Sequence, residues 1–102
     1  MNNADTELND LDIIVLNKLI NTDKYHPIKS KILCEECNIT FRRLKQIVKK
    51  LRNEYPIVAK ETDGGGYWMA KTNDEIISFT NMIEARKNGY EETIFQMHKH
   101  LV

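Results

Sequence analysis

Between Ile28 and Ala70 two short helical patterns run directly into a hairpin pattern, and this succession constrains the fold more than any other feature of the chain. The stretch from Ile28 to Arg52 reads as helix, tight turn, helix, by the spacing of its apolar residues. Pro56-Ile57-Val58-Ala59, the loop Gly64-Gly65-Gly66 and then Tyr67-Trp68-Met69-Ala70 follow. Two short runs rich in β-formers around a glycine loop predict antiparallel strands over 57–60 and 67–70.

Within the helical part, Ser30 is placed to cap a short helix ending near Cys37. The turn is Asn38-Ile39-Thr40: asparagine tolerates the left-handed backbone, and threonine can cap the helix that follows. In that second helix Phe41, Leu44, Ile47, Val48 and Leu51 form one stripe. Arg42, Lys45, Gln46 and Lys49 occupy the opposite face, with Arg43, Lys50 and Arg52 on its flanks. Pro56 requires the helix to stop before it.

Flanking segments complete the outline. Residues 1–8 read as a flexible N-terminal arm. Asn9 or Asp10 then caps a helix to about Asn21, in which Leu11, Ile14, Val15 and Leu19 keep helical spacing. Thr72-Asn73-Asp74-Glu75 fits a capping box. Beyond it Ile76, Phe79, Ile83, Tyr90, Ile94, Met97 and Leu101 recur at helical intervals, with a polar gap at Lys87. Asn88-Gly89 interrupts the pattern, and Arg86 and Lys87 before it with Glu91 and Glu92 after it resemble the end of one helix and the start of another. The register continues across it, which favours one long helix of about 40 Å over 73–102. The expected organisation is therefore an arm, a domain over 9–72, and a C-terminal helix over 73–102. That helix could pack on its own domain, pair with a second copy, or bind another protein. A twofold homodimer seamed by the seven apolar residues is the simplest expectation.

Charge is distributed unevenly. The 102 residues hold 15 Lys and Arg against 15 Asp and Glu, so the net charge is zero. Yet the six basic residues between Thr40 and Asn53 meet no acid. One basic helix on a neutral body predicts a small, oriented footprint on a polyanion rather than general adhesion. The length suits one domain. No apolar run approaches the roughly 18 residues of a membrane span, and no secretory signal opens the chain, so a cytoplasmic protein without membrane contact is expected.

Leu33-Cys34, Asn38-Ile39-Thr40, Arg43-Leu44, Val48 and Leu51-Arg52 together resemble the helix-turn-helix core of winged-helix proteins. Gly66-Tyr67-Trp68-Met69-Ala70 and Thr72–Glu75 are similar to the strand and helix that close the small winged-helix proteins of bacteriophages and other mobile elements. The likeness covers about Ile28 to Ile83. It implies a mainly α (α+β) fold: a winged helix-turn-helix with a two-stranded hairpin wing and a long C-terminal helix. It further implies a bacterial host cell and double-stranded DNA as partner, with the helix from Thr40 to Glu54 in the major groove. The chain departs from the pattern in its wing, where Glu61 and Asp63 stand at positions that many winged helices give to Lys or Arg.

On that docking geometry Arg42, Lys45, Gln46 and Lys49 would face the groove. Thr40 and Arg43 would lie near its edge, and Lys50 would reach phosphates. Lys29, Ser30 and Lys60 complete the expected contact set. Arginine pairs bidentately with guanine and glutamine with adenine, so the face carries base-reading chemistry. The alternative is a solvated helix face, but such a face normally interleaves glutamate for i,i+4 pairs. Cys34-Glu35-Glu36-Cys37 lacks a second ligand pair and reads as two small core residues, so no metal or cofactor is expected. Tyr67 and Trp68 point to opposite sides of their strand and read as packing residues. Gly64-Gly65-Gly66 lacks the following Lys-Ser/Thr of a phosphate loop. No nucleophile–base set or carboxylate pair suggests an enzyme. A second function remains open: an interaction module that grips a host or replication protein, favoured by the acidic wing and zero net charge.

Overall fold

The structure, a computed structural model, describes residues 7–61, 65–86 and 90–102. Among these lie five helices and one antiparallel hairpin: α1 (Asp10–Leu19), α2 (Ser30–Cys37), α3 (Phe41–Leu51), β1 (Ile57–Lys60), β2 (Gly66–Met69), α4 (Asn73–Glu84) and α5 (Glu91–His98).

Local chemistry accounts for most boundaries. Asn9 and Asp12 cap α1 reciprocally: Asn9 Oδ1 accepts from the Asp12 amide at 2.9 Å, and Asp12 Oδ2 accepts from the Asn9 amide at 3.0 Å. At the end of α2, Asn38 takes φ 54° and ψ 50°, the left-handed conformation that turns the chain toward α3. Thr40 Oγ1 then accepts from the Arg43 amide at 3.1 Å. Ser30 does not cap α2; Lys29 holds the cap position, without a side-chain bond, and Ser30 is the first helical residue. Leu8, expected in the N-terminal arm, packs on the core instead. Residues 1–6 lie outside the described residues.

The hairpin pairs Ile57 with Met69, Val58 with Trp68, Ala59 with Tyr67 and Lys60 with Gly66. Strand alternation divides it between two cores. Ile57, Tyr67 and Met69 join Val15, Leu19, Leu33, Leu44, Ile47, Val48 and Leu51 beneath α1, α2 and α3. Val58 faces the other way, into a second cluster with Ala70, Ile76, Phe79, Ile83 and Met97 from the C-terminal helices. Ile28, before α2, exchanges two backbone hydrogen bonds with Tyr67 at 3.0 and 2.9 Å, which adds a one-residue third strand beside β2. The Thr22 hydroxyl donates to the Leu19 carbonyl at 2.6 Å and accepts the Met69 amide at 2.9 Å, tying the end of α1 to β2.

The C-terminal segment corrects the expectation of one long helix. It is two helices, α4 and α5, and α5 folds back so that residue 102 returns to the start of α4. There Asn73 accepts the Val102 amide at 3.1 Å and donates to its carbonyl at 2.6 Å. Lys87, Asn88 and Gly89, where the break was in question, lie outside the described residues. The seam expected to join two copies is spent within the chain. Ile76, Phe79, Ile83 and Met97 are buried in the second cluster, and Tyr90, Ile94 and Leu101 pack against it. Folding back gives the apolar stripe a partner without a second chain, because both helices can cover the outer face of the hairpin. No helix among the described residues is long and apolar enough to cross a membrane.

Candidate nucleic-acid interface

Burying Leu44, Ile47, Val48 and Leu51 fixes the rotation of α3 and leaves its opposite face outward. Arg42, Arg43, Lys45, Gln46 and Lys49 are all exposed there, and so is Thr40 at the cap. Arg42 has no ion-pair partner among the described residues. Arg43 Nη1 donates to Gln46 Oε1 at 3.4 Å, and Lys45 Nζ lies 5.1 Å from the centre of the Phe41 ring. Both contacts are solvent-exposed and readily exchanged for others. Phe41 itself, expected in the core stripe, is 51% exposed.

Other expected contact residues are placed differently. Lys50 folds inward, its ammonium 2.7 Å from Asp12 Oδ2, and Asp12 is almost fully buried. It therefore anchors α3 to α1 instead of reaching phosphates. Lys49 pairs with Glu92 at 2.8 Å, but both side chains are more than half exposed, so the pair is weak and exchangeable. Lys29 is exposed at the start of α2. Ser30 is half-buried and hydrogen-bonds the Tyr67 side chain. Lys60, the last residue of β1, is half-buried and is not a free cation. Glu61 is ion-paired with Arg86 at the end of α4, which draws that end of the hairpin toward the C-terminal helices. Asp63 lies outside the described residues.

α5 closes the far end of α3. Gln96 Nε2 donates to the Lys49 carbonyl and to Asn53 Oδ1, both at 2.9 Å. His100 Nε2 lies 2.7 Å from the Arg52 carbonyl, which requires the ring to donate. The last carbonyls of a helix lack internal partners; here the C-terminal segment supplies them. The outer face of α3 thus remains open mainly over its first two turns.

Cys34 and Cys37 are half-buried against the first core, and burial pushes both thiols upward. No cluster of three metal-ligating side chains occurs among the described residues.

Sequence spacing placed Arg52 on a flank of α3 but gave no sign of its surroundings. The side chain leaves the end of α3 and donates from Nε to the Ile57 carbonyl at 2.8 Å. Its guanidinium carbon stands 4.9 Å from the centre of the Phe79 ring. It borders a cleft of about 710 Å³ between α3, the hairpin and the α4–α5 pair. A signal for it was absent because the cleft is created by the reversal between α4 and α5. Comparison with known proteins finds no matching family model, no matching curated protein and no matching solved structure.

Proposed function

We propose that this domain is a winged helix-turn-helix that binds double-stranded DNA with a sequence preference, as a small site-occupying regulator or replication accessory factor of a phage or other mobile element. The observation that carries the reading is the open first half of α3, where Arg42, Arg43, Lys45 and Gln46 face outward with no carboxylate among the described residues paired to them. In helix-turn-helix docking, the N-terminal residues of the second helix are those that meet base edges. The order of elements supports the same reading: two helices joined by a tight turn are followed by an antiparallel hairpin and a C-terminal helix.

The footprint is small. With Lys50 committed to Asp12, phosphate contacts fall to Lys29, Arg43, Lys49 and the neighbouring backbone amides. Few phosphates are neutralised, so non-specific affinity is modest and specificity depends on Arg42, Lys45 and Gln46. The hairpin lies between two cores and contributes little to the duplex. No second copy is needed to complete the fold, and the reading is of one domain on one site.

Selection from random duplex DNA tests the proposal: recovery of a common short site supports it, and recovery of unrelated sequences refutes it. An interaction module for a protein partner is the second reading, favoured by the exposed Phe41 ring beside the cleft and by zero net charge. Mobility shifts on mixed DNA between about 50 and 200 mM salt separate the two, because duplex binding must weaken steeply with salt.

A further inference from the structure

The cleft between α3, the hairpin and the α4–α5 pair combines an apolar wall with a cation that has no anion among the described residues. Tyr67, Phe79, Met82, Ile83 and Tyr90 form the wall, and Lys31 and Lys45 stand at its margin. Arg52 borders the same space with one donor given to the Ile57 carbonyl, leaving the rest of its five N–H donors for other partners. No carboxylate among the described residues pairs with it. Glu61, which also borders the cleft, is held by Arg86. Burial draws the guanidinium down to about 10, and only the Tyr67 and Tyr90 side chains work against that shift. Desolvating a cation without a counter-charge is costly, and a planar fork suits a carboxylate.

We propose that this cleft binds a small organic anion, an aromatic or branched apolar body bearing one carboxylate. The carboxylate sits on the Arg52 guanidinium, and the body lies between Phe79, Met82, Ile83 and Tyr90. The cleft volume is within the range usual for small-ligand sites, and a few polar groups on an apolar wall is their usual chemistry. The site adjoins the face proposed for the duplex and shares Lys45 with it, but its anchor, Arg52, lies at the end of α3 and is not among the proposed DNA contacts.

The test is titration of the full chain with benzoate, 1-naphthoate and 4-methylpentanoate, each against its neutral amide, followed by amide NMR. At least one acid is expected to bind at least about tenfold more tightly than its amide, with shifts centred on the cleft. Arg52→Lys keeps the charge but loses the fork, and is expected to weaken that acid about tenfold. The acid–amide comparison is made on the unaltered chain, so it does not depend on how the variant folds. Equal binding of acid and amide, shifts confined to the outer face of α3, or no binding by all three acids at millimolar concentration would each overturn the proposal. A failed duplex selection beside successful acid binding would remove only the DNA reading, and the converse result only this one.

Discussion

The Lys50 ammonium lies 2.7 Å from the Asp12 carboxylate, joining α3 to α1 across 38 residues of sequence. The same carboxylate oxygen accepts the Asn9 amide, so one buried acid caps its own helix and holds the next but one. Lys50 is thereby removed from the DNA contacts that its place on the helix suggested.

Lys50→Ala should therefore act on stability. It strands the Asp12 carboxylate in the core and should cost about 3 kcal/mol, the usual penalty for breaking a buried pair from one side. Urea unfolding measures it. A loss confined to DNA affinity, with stability unchanged, would contradict the assignment.

Arg42, Arg43 and Lys45 should behave in the opposite way. Their combined replacement by Ala should leave the unfolding midpoint almost unchanged, since all three are exposed. DNA affinity should fall, and the slope of log affinity against log salt should flatten by about one unit, for the phosphate contact of Arg43. Arg42→Ala alone should relax the preference at one base position by about 1–3 kcal/mol. Equal binding by the triple variant would reject this face.

Met97 is fully buried between α4, α5 and the hairpin. Met97→Ala should cost about 2–4 kcal/mol by leaving a cavity inside one chain. Light scattering should return the same mass for both proteins under native conditions. A drop in mass without loss of stability would instead place the seam between two chains.

Glu75 accepts the Trp68 indole at 2.8 Å. Burial alone would raise its carboxyl, but bonds from Trp68, the Lys71 amide and the Thr72 hydroxyl, with the charge of Lys24, hold it below its ordinary value of 4.5. A depressed folded value means the stabilisation is complete above 4.5 and is lost as pH falls through the folded value. Glu75→Gln should be less stable at neutral pH by about 1 kcal/mol, at the low end for bonds to a charged group because the site is partly solvated. The gap should close in acid. Trp68 is the single tryptophan of the chain, so fluorescence-detected unfolding reads this site directly. A gap independent of pH would show that the carboxylate is not involved.

Asn38, at φ 54°, should tolerate Gly within a few tenths of a kcal/mol. Asn38→Ala should cost about 1 kcal/mol, because a Cβ without a local hydrogen bond makes the left-handed turn unfavourable. Thermal unfolding of the two variants gives the comparison; equal midpoints would remove the backbone explanation.

Local pattern was sufficient for most contacts between near neighbours, though not for the Ser30 cap or the place of Phe41. The Asn38-Ile39-Thr40 turn, the Thr40 and Thr72 caps, the buried stripe of α3 and the opposed directions of Tyr67 and Trp68 all follow from contacts a few residues apart, which spacing records. The outward direction of Arg42, Lys45 and Gln46 follows too, because burying Leu44 and Ile47 fixes the rotation of their helix. Pairings between distant segments left no such trace. An apolar stripe specifies that Ile83 and Met97 need cover, but not whether a second chain or their own hairpin provides it. The reversal between α4 and α5 settled that in favour of the hairpin. It also brought Gln96 and His100 onto the end of α3 and set Arg52 beside Phe79. The loss of Lys50 to Asp12 has the same origin: a long cationic side chain goes to whichever carboxylate the packing of two helices brings within reach.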